Sequence, residues 1–450
     1  MSRRAALAKV GTGGPQAVIA VLQGRLPALS PHPRLARRLT TFDAVVIGLG
    51  SMIGAGVFAA FTPAAQAAGS GLLIGLLLAA AVAFCNATAS AQLAAEYPTS
   101  GGTYVYGRER LGPWPGFLAG WGFVIGKTAS SAAMALTFAA YAAPAGWERP
   151  VAIAAVVLLA AVNYRGVTRT AGLTRIIVVA VLVVLAIVVA ACWVVPGAAD
   201  PQRLFDGGVL AHGWYGVLQS AGLLFFAFAG YARIATMGEE VINPSRAIPR
   251  AIVTALGIAV VVYAAIAISI LAVLGADGIA GTPAPLAAAV AVGSWDWASP
   301  VVRVGAALAA LGALLALIAG LGRTSLAMAR GADLPRWLAA VHPRFKVPHR
   351  AELVLATVIC VIISVADLRG AIGFSSFGVL IYYLVANVAA YTQTGENRRY
   401  PKALQFTGAV ACAVLVATLP AESVIAGLLM FAAGVVYRVL RLRLGTTRTS

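Results

Sequence analysis

The chain has 450 residues, 60% of them hydrophobic and only 11% charged, where an ordinary soluble domain carries roughly 25% charged residues. The apolar residues run in continuous stretches instead of helix-period stripes, so whole helices lack a polar face, which excludes a soluble fold and makes the bilayer the solvent. The formal charge of +18 follows membrane topology and does not mark a nucleic-acid partner.

In chain order, residues 1–40 are Arg-rich, carry Pro27, Pro31 and Pro33, and lack a long apolar core. They read as a basic cytoplasmic N-terminal tail, not a cleavable signal peptide, either touching anionic lipid or solvated and disordered. Twelve spans are expected, at approximately 44–66, 69–93, 114–143, 150–164, 172–195, 214–237, 250–274, 300–322, 352–366, 371–391, 403–419 and 423–440. Residues 41–440 then form one membrane transporter domain, and 441–450 a short cytoplasmic C-terminal tail. The longest connection, 323–350, holds Pro335, Pro343 and Pro348 among six basic residues. The external connections 197–213 and 275–299 are rich in turn formers. No extramembrane catalytic domain fits.

With the N-terminus inside, 27 of the 33 basic residues lie in cytoplasmic segments or at their edges. Arg149, Arg203, Arg303 and Arg369 lie outside or at the outer edge, and Lys127 and Arg233 lie within spans. That asymmetry orients a multi-pass protein of the plasma membrane with both termini cytoplasmic. Cys85, Cys192, Cys360 and Cys412 sit in four different spans, and His32, His212, His342 and His349 sit in loops. Neither set has metal-ligand spacing. No metal or other cofactor is expected, and no nucleophile–base pair marks an intramembrane enzyme.

Two spans are interrupted. The first reads Ile47-Gly48-Leu49-Gly50-Ser51-Met52-Ile53-Gly54-Ala55-Gly56-Val57-Phe58, and the sixth Phe225-Phe226-Ala227-Phe228-Ala229-Gly230-Tyr231. Glycine weakens a helix by about 1 kcal/mol relative to alanine. Unwound backbone at membrane depth is tolerated only where it is buried or lines a cavity. Breaks five helices apart point to an inverted repeat around a central site, unless the small residues serve only close helix packing.

The chain resembles the amino acid–polyamine–organocation superfamily of permeases in four places. Thr41-Phe42-Asp43 with Gly50 through Phe58 resembles the first-helix signature. Glu96-Tyr97-Pro98-Thr99-Ser100-Gly101-Gly102-Thr103-Tyr104-Val105-Tyr106, followed by Gly112 and Gly120-Trp121, resembles the segment between helices two and three. Glu239 through Pro249 resembles the loop after helix six. Arg323 through Arg330, then Asp333-Leu334-Pro335, resembles the end of helix eight. The resemblance implies an all-α bundle of about twelve spans: a five-plus-five inverted repeat with discontinuous helices 1 and 6, then two further helices. It also implies alternating-access transport of amino acids or related amines, driven by protons or run as exchange. A transporter-like sensor on the same fold stays open, as does the oligomeric state.

A zwitterionic substrate brings a carboxylate, which needs donors beside a positive helix end, and an ammonium, which needs acceptors. By motif position the donors are the amides of Ile53, Gly54, Ala55 and Gly56. The acceptors are the carbonyls of Phe226, Ala227 and Ala229 beside Gly230, with Phe226 as an aromatic gate or a plain core or lipid-facing residue. Many relatives place Asp or Glu after the helix-six glycine; here the residues are Tyr231-Ala232. All 15 acidic residues fall in loops or at span ends, so a cationic side chain would lack a counter-ion and neutral substrates are favoured. Gly322 replaces a hydroxyl position common before the helix-eight arginine, which weakens any sodium site there.

Lys127 lies mid-span in a chain with 29 Arg and 4 Lys. A charge there costs about 2.5–3.5 kcal/mol on the lenient insertion scale. Lysine can lose its proton on burial, whereas arginine effectively cannot. Lys127 is therefore a candidate proton-coupling group, a fixed cation occupying an ion site, or a lysine that snorkels or satisfies helix-end carbonyls. Arg233 is expected either to latch an inner gate by pairing with Asp43 or to reach headgroups. Glu239 and Glu240 suit structural or gating roles.

Overall fold

Without water to satisfy them, backbone polar groups in apolar runs of this length pair within helices. The computed structural model describes residues 39–54, 56–98, 101–165, 171–238, 240–292, 295, 297–395 and 398–446. Residues 1–38 of the expected N-terminal tail at 1–40, together with Ala55 and Glu239, lie outside the described residues.

Thr40 caps α1: its hydroxyl accepts from the Asp43 amide at 3.2 Å, and the Asp43 carboxylate accepts from the Thr40 amide at 3.0 Å. This reciprocal pairing satisfies two orphan donors at the helix start. α1 runs Thr41–Met52, stops, and resumes as Gly56–Ala59 and Phe61–Ala68. There follow α2 (Leu72–Glu96), a connecting helix (Gly102–Leu111), α3 (Pro113–Ala142), α4 (Glu148–Tyr164) and α5 (Ala171–Val194). α6 runs Gly213–Phe228, tightens into a 3-10 turn at Ala229–Tyr231, and ends as Ala232–Ala235. α7 (Pro244–Ala280, broken by a non-helical Gly275), α8 (Ala298–Arg330), α9 (His349–Val365), α10 (Leu368–Tyr391), α11 (Lys402–Thr418) and α12 (Ala421–Thr446) complete the bundle.

Each of the twelve expected spans falls on one of these helices. Among the described residues, nine stretches are long and apolar enough to cross a membrane by themselves; α4, α9 and α11 are shorter, at 17 residues each. Three boundaries differ from expectation, one of them at α12, which runs on to Thr446 through residues expected to be the C-terminal tail. α7 starts at Pro244 rather than 250, because proline suits a first helical turn. α8 continues to Arg330, through a segment expected to be loop, because Leu326, Ala327, Met328, Ala329 and Arg330 are strong helix formers that carry the helix past its apolar run.

Small residues set which helices touch. A Cβ added at Gly122 of α3 would lie 2.8 Å from the Gly378 carbonyl of α10, and one at Gly126 would lie 2.9 Å from the Ser375 carbonyl. Ser130 and Ser375 then share a hydrogen bond of 2.6 Å. Close backbone approach through small residues substitutes for the hydrophobic drive that lipid cannot supply. It is this contact that brings Lys127, one residue after Gly126, beside α10. On the outside, Ile176, Val179 and Val183 of α5, Val261 of α7 and Val365 of α9 stay exposed, each more than half so, as suits side chains that meet lipid.

Candidate functional site at the paired breaks of α1 and α6

The two breaks meet. A Cβ on Gly56 would lie 2.6 Å from the Ala227 Cα, and one on Gly230 would collide with the Ser51 carbonyl. Ser51 adds a local cause of the first break, since its hydroxyl donates to the Ile47 carbonyl at 2.9 Å, a back-bond that bends helices. One phenol ties the breaks together: the Tyr263 hydroxyl of α7 lies 2.6 Å from the Met52 carbonyl and 3.0 Å from the Ala227 carbonyl. With a single O–H, it serves one of those two carbonyls at a time or shares its proton between them.

The donor side of the expected site is narrower than the sequence suggests. The Ile53 amide still closes the last turn of α1 on the Leu49 carbonyl at 2.7 Å, so it is not a freed donor. Gly54 lies beyond that turn and Gly56 opens the next segment. A Cβ at Gly54 would lie 2.7 Å from the Ala313 Cβ of α8, so substitutions there press on α8 as well as on the site. A small cleft beside this break is lined by Gly50, Ile53, Gly54, Ile177, Val181 and Ala309, among others.

The acceptor side is also altered. α6 tightens instead of unwinding, and the Ala229 amide is shared between the Phe225 and Phe226 carbonyls, so the Phe226 carbonyl takes part in the closing turn. The Ala227 carbonyl faces Tyr263. The Ala229 carbonyl accepts from the Lys127 ammonium at 3.2 Å and from the Tyr383 hydroxyl of α10 at 3.4 Å. The protein's own donors therefore occupy the carbonyls expected to face a substrate ammonium. Lys127 is 7% exposed and joins no ion pair within 4.0 Å among the described residues; it reaches inward to the α6 break and does not snorkel.

Phe226 is buried in the cluster that includes Ala59, Ala133, Leu223, Ala313 and Leu314, so it does not face lipid. Tyr231, which follows the helix-six Gly230, is fully buried with its ring 5.1 Å from that of Tyr383.

The expected latch between Arg233 and Asp43 does not form. Asp43 pairs with Arg175 of α5 at 2.7 Å, while Arg233 reaches the Thr236 hydroxyl at 3.4 Å in its own segment. Arg233 lies near the end of α6, whereas Arg175 is one turn into α5, directly beside the start of α1. Instead, the α1 start is tied to the segment after α6 through backbone: Leu39 donates to the Glu240 carbonyl at 3.0 Å and accepts from the Ile242 amide at 2.9 Å.

Sequence reasoning missed a second cluster, around Asp333 after α8. Its carboxylate accepts from Arg108 of the connecting helix at 2.7 Å, Arg438 of α12 at 2.5 Å and Tyr104 at 2.7 Å. Arg438 is 6% exposed, and its guanidinium stacks 4.6 Å from the Phe117 ring and 4.9 Å from that of Trp114. Burial and the neighbouring carboxylate push the Tyr104 phenol up to about 12. The DLP motif marked the place; nothing in the sequence named Arg438 as its partner.

A multi-pass helical bundle in which two interrupted helices meet at the centre has the architecture of a membrane transporter. The chain belongs to the amino acid permease family, whose model matches residues 39–440. It is 61% identical over 401 residues to an uncharacterized transporter of Mycobacterium tuberculosis, covering 89% of this chain and 90% of that one. It is 25% identical over 412 residues to the branched-chain amino acid permease BcaP of Bacillus subtilis, covering 86% and 87%. It is 28% identical over 399 residues to the chloroplastic cationic amino acid transporter 6 of Arabidopsis thaliana, covering 82% and 68%.

Proposed function

We propose that the protein imports neutral amino acids across the plasma membrane by alternating access, with the basic face cytoplasmic and a proton as the coupling ion. The observation that carries this reading is the Lys127 ammonium on the Ala229 carbonyl at the α6 break. A protonated lysine with no carboxylate in ion-pair reach repels a second cation, so arginine, lysine or a polyamine would meet an uncompensated desolvation cost. The named relatives divide between branched-chain and cationic substrates, and this internal charge favours the neutral side. The substrate carboxylate then binds the first-helix break at Gly54 and Gly56, and Phe226 closes over its side chain.

Lys127 supplies coupling if its ammonium loses a proton when the carbonyl moves away and regains it when the carbonyl returns. The same contact supports a second reading. An ammonium seated on a helix-break carbonyl replaces a bound metal cation, and a carrier with a permanent internal cation runs as an exchanger. Uptake by the purified protein in liposomes, with and without an imposed pH gradient, separates the two. Accumulation above equilibrium that follows the gradient supports symport, whereas uptake that requires internal amino acid and ignores the gradient supports exchange.

A further inference from the structure

Between α2, α10 and α11, uncharged polar side chains line up from the α6 break to the basic face. Tyr383 shares the Ala229 carbonyl with Lys127. The backbone carbonyl of Tyr383 accepts from the Asn387 amide at 2.9 Å, and the same amide donates to Asn86 Oδ1 at 2.6 Å. The Cys412 thiol points at that oxygen too, 3.3 Å away. Ser90 lies one turn further along α2, and Gln405 one turn before Gly408, which packs against Asn387 and Cys85. At the end of the row Gln393 donates to the Glu96 carboxylate, which Arg110 also reaches at 3.5 Å.

Asn86, Asn387, Gln393 and Gln405 are completely buried and Ser90 is 2% exposed. Yet Asn86 Nδ2, Ser90 Oγ, Asn387 Oδ1, Gln393 Oε1 and both amide atoms of Gln405 have no hydrogen-bond partner among the described residues. Inverting both asparagine amides keeps the pair bonded but orphans the exchanged atoms and turns an oxygen towards the Tyr383 carbonyl. Gln92, on the same helix, makes the contrast: its amide is satisfied at both ends, by the Ala390 carbonyl and the Arg399 and Tyr400 amides. Buried polar atoms that the protein leaves unpaired are satisfied by internal water.

We propose that this row holds a file of ordered waters that carries protons between Lys127 and Glu96, separate from the substrate path. The inference rests on the reading of Lys127 as the coupling group. The Lys127 ammonium gives its proton to the first water. The proton then passes along the waters, with the Tyr383 and Ser90 hydroxyls able to relay it, while the Asn and Gln amides only orient them. The Glu96 carboxylate accepts the proton and hands it to cytoplasmic water. The titratable groups facing the ammonium are Tyr383 and, against it, Tyr231 and Tyr382. Those facing Glu96 are Arg110 and the adjacent Tyr97.

Two measurements on the full chain test the file. In a Cys85→Ala, Cys192→Ala, Cys360→Ala protein, the infrared S–H band of Cys412 should exchange within minutes of transfer to D2O, and Gln405→Leu should slow this at least tenfold. A Cys412 thiol that stays protonated for hours in this three-alanine protein shows the row to be dry and overturns the proposal without any Gln405 variant. In liposomes supplied with a radiolabelled mixture of the twenty amino acids, Gln405→Leu should lower the ratio of gradient-driven to counterflow uptake at least tenfold, with Gln405→Met substituting if the leucine variant does not fold. If Lys127→Ala keeps wild-type gradient dependence, the coupling reading fails. If Lys127→Ala uncouples while the Gln405 variant keeps the wild-type ratio, only the file fails.

Discussion

The ammonium of Lys127 in α3 donates to the carbonyl of Ala229 in α6 across 3.2 Å, and both residues are buried. The contact joins the static packing of α3 on α10 to the broken helix that must move if the site is to open to alternate sides. Its consequences are the easiest to measure.

Lys127→Ala should abolish pH-driven accumulation while substrate counterflow survives. Lys127→Arg distinguishes titration from charge filling, because arginine holds its proton. A titrating lysine is not rescued by Arg, whereas a fixed cation largely is. Initial rates of gradient-driven uptake and of counterflow, measured side by side in liposomes, decide between them; wild-type gradient dependence in the alanine variant removes the residue from the mechanism.

Competition for uptake should follow substrate charge. Leucine, valine and other neutral amino acids should inhibit, and arginine and putrescine should not do so at tenfold higher concentration. Inhibition by the cations equal to that by the neutral compounds would contradict a pocket in which Lys127 is charged when substrate binds.

Glycine substitutions at the breaks should differ by position. Gly230→Ala forces a methyl into the Ser51 backbone and should cost about 1–3 kcal/mol as overpacking, visible as a lower unfolding temperature with loss of transport. Gly54→Leu drives its side chain at Ala313 of α8, so it should abolish binding together with a smaller loss of stability. Thermal unfolding in detergent and equilibrium binding of the amino acid mixture, done on both variants, would expose an error in either assignment.

Tyr263→Phe removes the one hydroxyl shared by the Met52 and Ala227 carbonyls. A buried carbonyl that loses its donor costs about 1–3 kcal/mol. The variant should fold, unfold at a lower temperature and transport several-fold more slowly. Transport at the wild-type rate would show that the two breaks move without this tie.

Asp333→Ala leaves Arg438 buried and unpaired, which should cost about 3–5 kcal/mol, read as loss of folded protein in detergent. The phenol of Tyr104, held at about 12, adds a signature of its own. A group whose folded pKa lies above its unfolded value stabilises the fold fully below the unfolded value near 10 and loses that contribution as pH rises towards 12. Stability should therefore fall between pH 10 and 12, and Tyr104→Phe should make that fall less steep.

The sequence by itself determined the membrane helices, their order and the positions of the two breaks. Those features rest on local composition: unbroken apolar runs leave the backbone no option but helix, and Gly54, Gly56 and Gly230 weaken it where they stand. The same local logic overreached at Ile53 and Phe226, whose backbone groups the adjoining turns still claim. It placed the end of α8 too early as well, since hydropathy marks where lipid ends and not where a helix does. Which side chain meets which break was decided only by tertiary structure. Lys127 faces Ala229 because Gly122 and Gly126 let α3 sit backbone to backbone on α10. Asp43 pairs with Arg175 and not Arg233 because α5 packs beside the start of α1, and Arg438 finds Asp333 across 105 residues of chain. Such pairings depend on the distance between helices, which no single stretch of sequence contains.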